Sequence, residues 1–172
     1  MEFKNESFID QILIFKTEEE YTFIECTFQK CQISASANYI DFQNCKFIGD
    51  FKINNTGIGG IDTIRLNNIS LSSDVKTKID ISSTGIDVKN SEFSSTSEII
   101  LDGNEVDIRK SDFLGLTTIN HYSELSIKDS SLVNLQRGIP SSDNITVENS
   151  TINGIDLMES LPENLSDAAP TK

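Results

Sequence analysis

An eight-residue pattern repeats seven times along this chain and restricts the folds that it can adopt. Positions one and three are apolar, position five is Asn-like, position six is usually small, and position eight is Phe, Leu or Ile. The copies are Tyr21–Phe28, Ile40–Phe47, Ile64–Leu71, Ile86–Phe93, Val106–Phe113, Leu125–Leu132 and Ile145–Ile152. Strictly alternating apolar residues indicate β-strands, because a helical face would repeat every three or four residues.

The spacing of the copies predicts how these strands associate. Successive copies begin 19 to 24 residues apart. A period near 20 residues, made only of short strands and corners, is typical of a parallel β-solenoid, in which each strand bonds to its equivalent one coil away. Equivalent residues then stack in ladders. The predicted inner ladder is Phe28, Phe47, Leu71, Phe93, Phe113, Leu132 and Ile152, and the predicted corner ladder is Glu25, Asn44, Asn68, Asn90, Lys110, Asp129 and Asn149.

The repeat and its Asn-rich corner resemble a known fold family. Residues 21–155 look like a short right-handed parallel β-helix of the pectin-lyase-like type, with about seven coils. The stretch Tyr21–Ile33 also resembles pentapeptide repeats, because a small residue stands two positions before Phe28 and before Ile33. Spacings of 24 and 22 residues elsewhere break a strict five-residue step, so this second resemblance is the weaker one.

The ends of a solenoid need protection against pairing with other strands. We expect residues 1–20 to form an N-terminal cap, in which Ile9, Ile12 and Leu13 have helical spacing. We expect residues 156–165 to form a C-terminal cap and residues 166–172 to be a disordered tail. The whole chain is thus predicted to be an all-β domain with a cap at each end.

The charge of the chain excludes two classes of partner. Asp and Glu number 27 against 14 Lys and Arg, for a formal net charge of −13. This argues against binding to nucleic acid through its phosphates and against docking on anionic lipid. The excess is concentrated at the ends, since residues 1–30 hold 7 acids and 3 bases and residues 140–172 hold 6 acids and 1 base. We expect these acidic ends to keep the rods from stacking.

The N-terminus and the cysteines predict the compartment of the protein and the state of its thiols. The N-terminus lacks the basic start and apolar core of a secretory signal, which predicts a cytoplasmic protein. Cys26, Cys31 and Cys45 form neither a disulfide framework nor a zinc motif. Cys26 and Cys45 fall on the same inner corner one coil apart, where we expect buried free thiols. We expect no cofactor and no metal. The Asn-, Ile- and Lys-rich composition suits a bacterial or phage protein.

One cluster of side chains is a candidate for catalysis. Asp102, Glu105, Asp107 and Arg109 lie close together in the sequence. The resemblance implies acids on an outer face, for Ca²⁺ or as a general acid and base, with Arg or Lys as the base. The signature pairings of that family are absent here, however. A small carbohydrate-active enzyme, either a polysaccharide lyase or a hydrolase, is therefore the alternative function.

Outward positions of the predicted strands offer a binding surface instead. Lys89, Arg109 and Lys128 should stack as a basic stripe beside Asp87 and Asp107. The stripe has a structural interpretation, as ion pairs between coils, and a functional one, as a charged strip for a partner.

These observations favour a non-enzymatic acidic solenoid that binds a protein partner, as an inhibitor or immunity-type module. We expect it to be a monomer or a small homo-oligomer. A self-assembling structural solenoid is the second alternative.

Overall fold

The computed structural model describes residues 1–15, 20–57, 62–71, 74–137 and 144–152, and these residues form β-strands without any helix. The strands are β1 (Glu2–Lys4), β2 (Ser7–Ile9), β3 (Ile12–Phe15), β4 (Glu20–Ile24), β5 (Thr27–Gln29), β6 (Gln32–Ala35), β7 (Tyr39–Gln43), β8 (Lys46–Ile48), β9 (Asp50–Asn55), β10 (Thr63–Asn67), β11 (Lys78–Lys89), β12 (Glu92–Phe93), β13 (Glu98–Arg109), β14 (Asp112–Lys128), β15 (Ser131–Arg137), β16 (Asn144–Glu148) and β17 (Thr151–Ile152). These strands pair in parallel with their equivalents one coil away, which confirms the predicted β-solenoid of about seven coils.

Each coil supplies segments to three sides of the solenoid. Side 1 contains β1, β4, β7, β10, the C-terminal parts of β11, β13 and β14, and β16. Side 2 contains β2, β5, β8, β12, the first residues of β14 and β15, and β17. Side 3 contains β3, β6, β9, the N-terminal parts of β11 and β13, the middle of β14 and the end of β15. The strands β11 and β13 are long because each continues from side 3 to side 1. Strand β14 is longer still because it runs through sides 2, 3 and 1.

The register of side 1 follows the sequence repeat residue for residue. Position one of each copy lies opposite position one of the next, in the order Tyr21, Ile40, Ile64, Ile86, Val106, Leu125 and Ile145. A slip of one residue would turn the apolar set outward, so the alternating pattern fixes this register.

Residues 1–15 form a further coil, so the N-terminal cap predicted over residues 1–20 is not confirmed. Strands β1, β2 and β3 pair in register with β4, β5 and β6. Phe3 lies opposite Phe23, and Phe8 lies opposite Phe28. The helical spacing of Ile9, Ile12 and Leu13 does not produce a helix, because Phe3, Phe8 and Leu13 face the core on three successive strands. The predicted C-terminal cap (156–165) and tail (166–172) lie outside the described residues.

The first corner of every coil requires a left-handed backbone. The residue at this corner has a φ between 48° and 56° in every coil that the structure describes, at Asn5, Glu25, Asn44, Asn68, Asn90, Lys110, Asp129 and Asn149. Asn and Asp adopt this conformation more readily than other side chains, which explains the Asn-like position of the repeat. Amide groups also link neighbouring corners, as in the bond from Asn68 Nδ2 to Asn44 Oδ1 at 2.5 Å.

Stacked rings and aliphatic side chains fill the interior. Phe23 stacks on Phe3 and on Phe42, with ring centroids 4.9 and 5.1 Å apart. The predicted inner ladder is buried from Phe28 to Leu132, with Ile152 partly buried at its end. This continuous core positions the outward side chains of side 1 in straight columns.

Candidate binding face on side 1

Outward residues of side 1 stack into two columns, as predicted. One column is Thr22, Asp41, Arg65, Asp87, Asp107, Ser126 and Thr146, and the other is Ile24, Gln43, Asn67, Lys89, Arg109, Lys128 and Glu148. The columns lie side by side because consecutive outward residues of a strand are two positions apart. We call the seven charged residues Asp41, Arg65, Asp87, Lys89, Asp107, Arg109 and Lys128 the charged face.

Asp87 lies at the centre of an ion-pair network. Its Oδ2 accepts a hydrogen bond from Arg65 Nε at 3.0 Å and another from Lys89 Nζ at 2.6 Å. The Asp87 side chain is only 14% exposed, so these contacts are shielded from much of the solvent. Arg65 thus bridges coils, whereas Lys89 belongs to the same strand as Asp87.

The next coils continue this arrangement. The guanidinium of Arg109 pairs with the carboxylate of Asp107 on the same strand, and Lys128 Nζ lies 3.3 Å from Glu148 Oε2. The hydrogen bond and charge of Asp107 raise the pKa of Arg109 above its ordinary value. Burial lowers the pKa of Arg65, but the hydrogen bond to Asp87 and the surrounding negative charge outweigh that effect and leave it raised.

Four buried oxygen atoms on or beside this face have no hydrogen-bond partner among the described residues. They are Oδ1 of Asp41, Asp87 and Asp107, together with Oη of Tyr39. Asp41 is 5% exposed, and its other oxygen accepts a hydrogen bond from Gln43 Nε2 at 2.7 Å. Less than 1 Å² of each of these oxygens is exposed, so leaving them without a donor is a cost within the fold and not an opening for a partner.

Tyr39 lies at the edge of the charged face and contacts Arg65. The Arg65 guanidinium carbon lies 5.0 Å from the centroid of the Tyr39 ring, within the range of a cation–π contact. Burial raises the pKa of the Tyr39 phenol, and the positive charge of Arg65 opposes this effect without cancelling it. Tyr39, Asp41 and Arg65 were not among the predicted site residues, although the column periodicity already placed Asp41 and Arg65 beside Asp87.

The predicted partner-binding residues all lie on this face. Asp87, Lys89, Asp107, Arg109 and Lys128 occupy adjacent positions in three consecutive coils. Sequence spacing alone was sufficient to bring them together, because each is an outward residue of the repeat.

The candidate catalytic residues divide between two sides of the solenoid. Asp107 and Arg109 lie on side 1 and contact each other. Asp102 lies on side 3, opposite Ser82 and Asn120, and Glu105 follows at the exposed start of the side 1 segment. A turn of the chain through Gly103 and Asn104 therefore separates Asp102 from Asp107.

Asp102 instead lines a polar groove at the third corner. The groove has a volume of ≈ 330 Å³ and is lined mainly by Asn, Ser, Thr and Asp residues. Its buried carboxylate, Asp62, accepts hydrogen bonds from the backbone N–H of Thr84 at 3.0 Å and from Ser83 Oγ at 3.1 Å. Burial raises the pKa of Asp62, but a hydrogen bond from the Thr84 hydroxyl, together with those from the Thr84 N–H and from Ser83, outweighs this effect and leaves the pKa below its ordinary value. The ionised carboxylate of Asp62 therefore stabilises this corner through its hydrogen bonds.

Side 3 has a second charged region. A groove of ≈ 520 Å³ is lined by residues that include Ile12, Lys52, Lys78 and Asp80. Lys52 pairs with Asp80 at 3.0 Å, and Lys78 pairs with Glu98 at 2.6 Å. This region offers a natural comparison for the charged face, since it contains ion pairs of the same kind.

The described residues contain no group of three or more His, Cys, Asp or Glu side chains placed to hold a metal ion. Within the same residues, no helix has the length and apolar character needed to cross a membrane. Cys26 and Cys45 are free and buried, as predicted, and so is Cys31.

Comparisons with known proteins give no further assignment. No protein-family model, no curated protein and no solved structure matches the chain. The solenoid fold therefore follows from the strand pairing, and the function must be inferred from the faces of the molecule.

Proposed function

We propose that this protein is a non-enzymatic binding module that presents the charged face to a protein partner. The observation that supports it is the stacked basic stripe (Lys89, Arg109 and Lys128), which aligns three cations in adjacent coils of one sheet surface. A partner with acidic side chains matches this stripe.

The weakness of the existing ion pairs supports this function. The side chains of Arg109 and Lys128 are 50% and 37% exposed. Ion pairs at such exposure contribute on the order of 1 kcal/mol or less to folding. These cations are thus free to exchange their intramolecular carboxylates for those of a partner at little cost in stability.

Side 1 also has the shape of an interaction surface. Five-residue segments stack over successive coils and leave a regular sheet surface with a solid core behind it. A rigid surface loses little conformational entropy on binding, so its affinity depends chiefly on the match of charge and shape. An inhibitor or immunity-type module is the form of binding protein that this surface suits best.

Affinity capture from an extract of the source organism tests this function. Tagged wild-type chain is compared with a variant of the charged face (Lys89→Glu, Arg109→Glu and Lys128→Glu). The matched control carries Lys30→Glu, Lys52→Glu and Lys78→Glu. These substitutions change the net charge by the same amount, but Lys30 lies at the corner between sides 2 and 3, and Lys52 and Lys78 lie on side 3.

The expected result is a protein retained by the wild type and by the control but not by the variant of the charged face. Equal capture by all three would contradict the proposal. Cleavage of a polyuronide by the wild type, lost in Asp107→Asn, would favour the carbohydrate-active alternative instead.

A further inference from the structure

The most exposed large apolar side chains of the described residues belong to the first coil. Met1, Ile9, Ile12 and Ile14 are 65%, 52%, 71% and 60% exposed. Elsewhere the largest exposures are lower, at 43% for Val75 and 37% for both Leu114 and Val133. Large apolar side chains this exposed, gathered on a single coil, indicate a surface that another chain covers.

The backbone at this end is also open. Among the described strands, β1 pairs only with β4, β2 only with β5, and β3 only with β6. The Thr22 N–H donates to Met1 O at 2.9 Å, and the Asn5 N–H donates to Ile24 O at 3.0 Å. Because alternate residues of a parallel strand bond to opposite neighbours, the N–H and C=O groups of Glu2 and Lys4 face the open edge.

The same alternation applies to the other two strands of the coil. In β2, Glu6 and Asp10 bond to the second coil, which leaves Ser7 and Ile9 directed to the edge. In β3, Gln11 and Phe15 bond to the second coil. Ile12 and Ile14 are therefore the residues whose backbone groups are open, and they are also the exposed ones.

We propose that a second copy of this chain covers the first coil, end to end, through antiparallel pairing of β1 with its equivalent. A two-fold axis through Phe3 places Glu2 of one copy opposite Lys4 of the other, and Lys4 opposite Glu2. Each of these pairs exchanges two backbone hydrogen bonds, as the open groups of both residues require. Each pair also sets a carboxylate opposite an ammonium group, which stabilises antiparallel strands.

The same axis brings side 2 of one copy against side 3 of the other. Ile9 of the first copy then lies opposite Ile12 of the second, and Ile12 of the first copy lies opposite Ile9 of the second. The partly buried rings of Phe3 and Phe15, which pack on the end of the core, are covered as well. Three strand edges are thus satisfied by one symmetric contact.

Self-complementarity favours a second copy over another occupant. The β1 sequence Glu2-Phe3-Lys4 is its own charge complement when it is reversed, and an unrelated edge strand would need to reproduce that pattern. A two-fold contact also closes after two copies, so it predicts a dimer and not a filament. It departs from the expectation that acidic ends keep the rods apart, because Glu2 and Lys4 pair with each other at this contact. The charged face begins at Asp41 on β7, two coils away from β1, so dimerisation is separate from the proposed function.

Sedimentation equilibrium over a range of protein concentrations tests the dimer. The wild type should form dimers, and Lys4→Glu should raise the dissociation constant about tenfold or more, because two attractive pairs become repulsive. The charge swap Glu2→Lys with Lys4→Glu should restore dimerisation, because the pairs are merely reversed. Ile12→Lys should also weaken the dimer, whereas Val75→Lys should leave it unchanged.

Each contrary outcome overturns the proposal. Wild-type protein that remains monomeric up to about 100 µM excludes a contact of useful affinity. Assembly beyond the dimer indicates head-to-tail stacking. A charge swap that fails to restore the dimer excludes pairing of β1 with itself, and circular dichroism of each variant establishes that the solenoid is intact.

Discussion

The hydroxyl oxygen of Ser111 accepts a hydrogen bond from the backbone N–H of Ser91, one coil earlier, at 3.2 Å. The same hydroxyl donates to the carbonyl oxygen of Arg109 at 2.9 Å. Ser130 and Ser150 repeat both contacts in the following coils. This serine ladder satisfies backbone groups at the first corner that a parallel sheet leaves unpaired.

Replacement of Ser111 should therefore destabilise the solenoid. Ser111→Ala leaves the buried N–H of Ser91 without an acceptor, which should lower the free energy of unfolding by about 1–3 kcal/mol. Urea denaturation measures this change. Ser70→Ala, at an exposed position, should change it by less than about 0.5 kcal/mol. Similar effects of the two substitutions would exclude a structural role for the ladder.

Lys110 occupies a corner that suits Asn better. Its φ of 49° lies in the left-handed region, and its side chain is exposed. Lys110→Asn should raise the free energy of unfolding by on the order of 1 kcal/mol, because Asn adopts this backbone conformation more readily. Thermal unfolding checks the gain, with Lys46→Asn in strand β8 as the control. A loss of stability in Lys110→Asn would contradict this explanation of the corner ladder.

Burial protects the thiol of Cys45 from ionisation. Burial in the first corner raises the pKa of Cys45 from about 9.0 to about 12. The fold therefore favours the protonated thiol, and its contribution to stability is complete below about pH 9 and is lost as the pH rises towards 12. Each pH unit in that window should cost about 1.4 kcal/mol.

Urea denaturation on both sides of pH 9 measures that loss. The wild type should lose more stability with rising pH than Cys45→Ser, whose hydroxyl does not ionise in this window. Since both proteins contain the same lysines and tyrosines, other titrations cancel in the comparison. Parallel pH profiles for the two proteins would contradict a raised pKa at Cys45.

The repeat predicted most of the fold, but not its first coil. Met1–Phe8 satisfies the pattern at its apolar, Asn-like and Phe positions, and it begins 20 residues before Tyr21. Glu6 stands at the sixth position, where the other copies carry Cys, Ser or Ile and never a charged residue. Glu6 is exposed in the first coil, whereas the equivalent Cys26 and Cys45 are buried beneath another coil.

The charged face was predictable in position but not in its contacts. Periodicity placed Lys89, Arg109 and Lys128 in one column because outward residues recur with the repeat. The expected ion pairs between coils are found for Lys128 with Glu148, but Lys89 pairs with Asp87 and Arg109 with Asp107 along a single strand, so spacing did not decide between the two kinds of pairing. That choice depends on side-chain length and rotamer, which the spacing of residues does not encode.

Photo-crosslinking tests binding through the charged face most directly. A photo-crosslinking amino acid is placed at Lys89 on side 1 or, as the control, at Lys52 on side 3, and each protein is irradiated in an extract of the source organism. We predict a discrete crosslinked species from position 89 and none from position 52. Crosslinking to the same species from both positions, or from position 52 alone, would contradict binding through the charged face.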